Sequence, residues 1–188
     1  MIGIFDRWNV HYVAAPKPIL GVRLEPAALR ELLTDCVTPE FQTATLFLAR
    51  IDKDCQRQPS TVPPGKYDDF DPAVVFRGPW IRDTGWPEAR AHTITYCNVP
   101  GSQILFAFQG DTLNYVYTKA ANRGRADVSI DGARKTTVDL YAAKTQWQSS
   151  TRFLNLGRDS HLAVITVLPD KNPKSSDRWI DVDAFEVQ

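Results

Sequence analysis

Four of the five tryptophans and one polar loop hold the residues of this chain best suited to chemistry. Trp80 and Trp86 lie in one loop region, 77–87; Trp147 follows Tyr141; Trp179 precedes the last apolar run. An exposed indole is a flat apolar surface on which the C–H face of a sugar ring stacks, while Asn, Asp, Gln and Arg reach its hydroxyls. Trp86, in Asp83-Thr84-Gly85-Trp86-Pro87, is flanked by turn residues and is the leading candidate for such a platform. Trp80 follows Gly78-Pro79 and reads as packing. Trp147 and Trp179 are open between packing and ligand contact. In Lys119–Arg125, Gly124 permits a tight turn or a close backbone approach. Beside it, Asn122 and Arg123 can bind hydroxyls or carboxylates, Arg123 through a planar fork of donors. The competing reading has Asn122 tethering its own turn and Arg123 pairing with an acid. Tyr117, in the run Leu113–Tyr117, completes the set of ligand-binding candidates.

Catalytic patterns are weaker. His11, His92 and His161 stand apart, with no Gly-x-Ser-x-Gly elbow, phosphate loop or His-Glu-x-x-His. Glycoside hydrolysis needs two carboxylates facing across a cleft, and Glu40, Glu88 and Glu186 show no such pairing. An esterase-like activity is the least supported reading. Asp69, Asp71, Asp181 and Asp183 lie near the two ends of the alternating region. Asp181 and Asp183, two apart, point to one face of a strand; a solvated face or pairing with Arg77 or Arg82 accounts for them without an ion. Cys36, Cys55 and Cys97 are too few for a disulfide scaffold and lack metal-ligand spacing; Cys36 and Cys55 pair only in an oxidising compartment.

The elements that must position these groups differ between two parts of the chain. In the first, 9–15 and 43–51 read as strands, and Glu25-Pro26 opens a helix with Leu29, Leu32 and Leu33 on one stripe. This predicts a small α/β unit over 1–55. Residues 56–68, with Pro59, Pro63, Pro64 and Gly65, read as a linker, with the boundary near residue 66. From 69 to 188 the apolar pattern has period two: 93–96, 103–108, 113–117, 126–130, 136–141, 148–153, 162–168 and 180–187 alternate between turn signals such as Pro100-Gly101, Gly110-Asp111 and Asp131-Gly132. Strands at this spacing build a β-sandwich. Lys+Arg and Asp+Glu are both 22, so the formal net charge is zero, which argues against a nucleic-acid partner. No run of about 18 apolar residues spans a bilayer, and 1–6 has no basic start or long apolar stretch of a signal peptide. The chain is therefore expected to be cytoplasmic or a piece of a longer protein.

Residues 69–187 resemble the jelly-roll domains of the galactose-binding-like superfamily, which includes many carbohydrate-binding modules. The resemblance rests on Asp71-Pro72-Ala73-Val74-Val75-Phe76 with Gly78 and Trp80, on Asn122-Arg123-Gly124, on Val128–Gly132, on Val138-Asp139-Leu140-Tyr141, and on Asn172-Pro173, Ser175-Ser176 and Val182–Phe185. Ser160 before His161, where such modules carry Gly, is a small departure in a turn. The resemblance implies a mainly β fold, a jelly-roll sandwich after the small α/β unit. It also implies a non-catalytic module with a carbohydrate partner, no required cofactor, and a structural calcium ion held by Asp69, Asp71 and Asp183. A weaker resemblance, of Arg7–Val13 and Ala15-Pro16, is to extracytoplasmic ends of bacterial membrane glycosyltransferases. It implies an alternative: a structural or interaction domain packed on the rest of a membrane-bound enzyme, on the extracytoplasmic side.

Overall fold

A computed structural model describes residues 12–16, 37–42, 46–51 and 58–188. The chain divides into two compact units, meeting between Gln58 and Pro59. In the first, strands β1 (Tyr12–Pro16), β2 (Val37–Gln42) and β3 (Leu46–Ile51) form an antiparallel sheet in the order β1-β3-β2. Strand β2, with Pro39 inside it, was not read as a strand from the sequence. The helix expected from Glu25, the Cys36–Cys55 pair and residues 7–11 of the glycosyltransferase resemblance lie outside the described residues.

The second unit is a sandwich of antiparallel strands. One sheet has the order β11-β10-β13-β8-β5, from Ala133–Asp139, Arg125–Ile130, Ser160–Val167, Gln103–Gln109 and Val74–Arg77. The other has the order β12-β9-β15-β4, from Gln146–Phe153, Leu113–Lys119, Ala184–Val187 and Gly65–Asp68. Phe106 of β8 stacks on Phe185 of β15 at 4.5 Å, and Tyr67 of β4 meets Phe106 at 5.4 Å, so the two apolar faces close on each other. Strands β10 and β13 bury every second residue, the period-two signature of a sheet with one wet face. A smaller sheet, β14-β7-β6 (Ile180–Val182, Thr93–Cys97, Ile81–Thr84), completes the unit. The stretch expected as one strand over 180–187 is broken at Asp183. Its first part pairs with β7 and its second with β9 and β4.

Two expectations need correction. The proline-rich segment 56–68 is not a linker over most of its length. Val62 exchanges hydrogen bonds with Ala107 and Gln109 along β8, and 65–68 form β4. Edge positions tolerate these prolines because they ask for few backbone donors. Tyr117 is a core residue, fully buried, with its hydroxyl 2.9 Å from Thr151 Oγ1. It lies two residues from buried Tyr115 and so on the same inward face of β9.

Candidate functional site

At the end of the sandwich where β9 leaves and β10 enters, a cleft of about 270 Å³ is lined by Trp86, Ile94, Tyr96, Asn122, Arg123, Trp147 and Trp179. Four of the five predicted ligand-binding residues, Trp86, Asn122, Arg123 and Trp147, thus converge across 61 positions of sequence. Trp86 and Trp147 face each other at 5.6 Å, and Tyr96 meets the edge of Trp179 at 5.3 Å. Trp80 packs as expected, its indole N–H donating to Arg77 carbonyl and its ring against Phe76.

Local backbone explains how distant rings meet. The Trp86 loop folds back on itself: the N–H groups of Gly85 and Trp86 both donate to the His92 carbonyl, and that of Ala89 donates to Trp86 carbonyl. Its return passes through Ala91 and His92, both left-handed at φ 49° and 61°. On the other wall, the β12–β9 register shifts between Gln146 and Ser149, so Trp147 and Gln148 bulge out of the ladder. Gln148, at φ 50°, donates its side-chain amide to Glu88 carbonyl and ties this wall to the Trp86 loop. The Asn122–Gly124 turn is pinned to Trp179: Gly124 N–H donates to Trp179 carbonyl, and Trp179 N–H donates to Asn122 carbonyl. A Cβ at Gly124 would stand 2.6 Å from Arg178 carbonyl oxygen, so this close approach requires glycine.

The polar end of the cleft rests on Arg123. Its Nε lies 2.6 Å from Asp181 Oδ2, and one terminal nitrogen reaches Asn122 Oδ1 at 3.4 Å. The contact with Asp181 is close but bent: neither Nε nor Oδ2 makes an aligned hydrogen bond, so charge rather than direction carries the pair. Arg123 thus lines the cleft and pairs with an acid, Asp181. Burial pushes Asp181 up to about 6, against the opposing pull of Arg123 and the Thr118 N–H. Burial, and then the neighbouring Asp83, raise Tyr96.

The carboxylates expected to hold calcium do not gather as one ligand set. Asp69 lies 2.5 Å from Thr93 Oγ1 and 2.6 Å from Thr95 Oγ1, Asp183 Oδ1 accepts the Arg90 N–H, and Asp71 Oδ1 caps Ala73 N–H in its own turn. Among the described residues no three acidic, histidine or cysteine side chains stand together with metal-ligand geometry. Burial lifts Asp69 to about 7, against the two threonine hydroxyls and with Asp68 adding to the rise. Ile94 and Tyr96 were missed as site residues. They share a face of β7 by period two, but only the packing of β7 beside the Asn122 turn shows that this face looks into a cleft.

No protein-family model matches the chain. Over 76 residues, 40% of this chain, it is 32% identical to the A type blood alpha-D-galactosamine galactosaminidase of Flavonifractor plautii, spanning 7% of that protein. A solved Paenibacillus xanthan lyase matches 76% of this chain with a TM-score of 0.52 at 15% identity, over 15% of its own length. A two-domain esterase active on acetylated mannans, co-crystallised with mannopentaose, matches 65% with a TM-score of 0.51 at 14% identity, over 36% of its length. The chain thus spans a minor part of each relative. What it shares with the two solved chains is the mainly β sandwich, and all three relatives are carbohydrate-active proteins.

Proposed function

We propose that this chain is a non-catalytic carbohydrate-binding module, and that the cleft between the Trp86 loop and the Asn122–Gly124 turn holds the glycan. The observation that carries this reading is the lining itself. Three indoles and a phenol ring surround a space at the small end of ligand pockets, next to one guanidinium and one amide. Rings take the C–H faces of a sugar, and Arg123 and Asn122 take its hydroxyls. The lining presents no carboxylate pair of the kind hydrolysis of a glycosidic bond uses. Because the chain matches only small parts of its carbohydrate-active relatives, we read it as an accessory unit that holds a glycan for a larger enzyme.

Glycan-array screening followed by isothermal titration tests the proposal. The expected outcome is weak binding of a mono- or oligosaccharide that falls by about tenfold or more on Trp86→Ala or Trp147→Ala, the order expected from losing one stacked ring. Trp86 is 38% exposed, so its truncation should leave the fold intact. Unchanged binding by both variants would remove the cleft from consideration.

A further inference from the structure

Among the residues lining the cleft, Arg123 alone carries a charge at neutral pH, and its side chain is only 13% exposed. Behind it Asp181 is wholly buried and held from three sides. Its Oδ2 meets Arg123 Nε at 2.6 Å, its Oδ1 accepts the Thr118 N–H at 2.7 Å, and its main-chain carbonyl accepts the Tyr115 hydroxyl at 2.5 Å. Fixed in this way, Asp181 holds the guanidinium by its charge on the Nε side, while one terminal nitrogen reaches Asn122 Oδ1 at the cleft. It also cancels the arginine's charge. Asp83 accepts a hydrogen bond from the hydroxyl of Tyr96, a lining residue, at 3.3 Å. An anionic ligand entering here would find the one cation of the lining already paired with Asp181. A neutral ligand would still meet the N–H donors of Arg123 and Asn122, with its ring faces on the indoles.

We infer that Asp181 is a positioning and specificity-determining residue, which holds Arg123 at the cleft by its charge and neutralises it so that the cleft selects a neutral sugar over a uronic acid or other anionic sugar. This rests on the carbohydrate-binding proposal.

The decisive measurement needs no variant: titration of the unmodified chain with methyl galactoside, methyl glucoside and N-acetylgalactosamine against the corresponding uronates at about pH 7.5. The neutral sugars should bind about tenfold tighter. Asp181→Asn, which keeps the size and removes the charge, should abolish the margin, while circular dichroism shows the fold retained. A tenfold preference of the unmodified chain for a uronate would overturn the inference and leave the carbohydrate proposal standing. So would a folded Asp181→Asn variant with the original preference. Binding of neither class would overturn both.

Discussion

The two ends of the sandwich are built from similar turns and strands but meet their polar groups differently. At the end away from the cleft, β10 turns into β11 through Asp131-Gly132, left-handed at φ 54° and 75°, the two-residue hairpin loop that Asp-Gly favours. Asp131 then serves its neighbours: one oxygen meets His161 Nδ1 at 2.7 Å and the other accepts Leu162 N–H. Asp111 likewise accepts Gly157 N–H. The non-glycine left-handed residues here are Asp131 and Asn155, types that adopt this backbone readily. At the cleft end they are Ala91, His92 and Gln148; Ala91 and Gln148 lack that local help and must be held by the surrounding structure. There too the rings stand open, and Asp69, Asp181 and Asp183 are buried carboxyls. One end satisfies itself; the other keeps strain, rings and charge in hand, the pattern of a surface shaped for a ligand.

The sharpest way to break this contrast is Arg123→Ala. It leaves Asp181 buried without its cation, and the expected loss is about 3 kcal/mol at neutral pH by urea denaturation, as for other broken buried pairs. The loss should shrink near about pH 5, where Asp181 is protonated in the folded state. Next in size is the pH dependence of the unmodified chain. Asp69, Asp181 and Asp183 all have folded-state values raised above the ordinary 3.8, chiefly by burial. Such groups contribute stability that is complete below the unfolded value and is lost as pH rises through the folded one. Asp131 works the other way. Burial alone would raise it, but the hydrogen bonds from His161 and Leu162 outweigh that and hold it low, so its contribution is lost only in acid. Stability should therefore be highest near about pH 4, where the two effects cross, and fall by on the order of a few kcal/mol toward about pH 8, with Asp69→Asn flattening the fall. A flat profile in the unmodified chain would remove the electrostatic difference between the two ends.

Asp131→Asn probes the self-satisfied end directly. It weakens the contact to His161 while an amide oxygen can still accept from Leu162 N–H, so the expected loss is about 1 kcal/mol. Glycan affinity should not change, because the substitution lies at the far end of the strands. A fall in glycan affinity of about tenfold, as on Trp86→Ala, would mean that the two ends do not act separately.

Most of the sandwich was legible because its strands alternate. Residues 126–130 and 162–168 announced one buried face, and the structure places them side by side as β10 and β13, next to β8, whose run 104–108 is buried on both faces. Strands β4, β5 and β6 were not read, being four residues each at sheet edges, too short for a period to show. The proline-rich 56–68 hid β4 because proline composition says linker while edge pairing asks little of it. At the site, turn chemistry placed Trp86 and Asn122-Arg123-Gly124 on a rim, which is a local property. That Asp181 stands behind Arg123, and that Tyr96 looks into the same space, are long-range facts of packing that spacing along the chain does not carry. Tyr117 was misplaced for the converse reason: aromatic character alone does not tell the wet face of a strand from the dry one.

The smallest expected effect concerns calcium. The carboxylates proposed for it lie toward the cleft end, where the contrast would be sharpened if an ion organised them. Yet Asp69 already meets two threonine hydroxyls, Asp183 Oδ1 the Arg90 N–H, and Asp71 Oδ1 the Ala73 N–H, each a donor that a cation would have to displace. Of these side chains only Asp183 has a buried oxygen without a partner, Oδ2, joined by Oδ1 of Asp68 beside Asp69, and two such oxygens fall short of the six to eight that calcium takes. Adding millimolar calcium, or stripping the protein with EDTA, should therefore move the melting temperature by less than about 1 °C, well under the shift that one kcal/mol produces in a chain of this size. A calcium-dependent rise of several degrees, lost in Asp183→Asn, would show instead that the ion recruits those two oxygens and that the buried carboxyls of the cleft end are a metal centre.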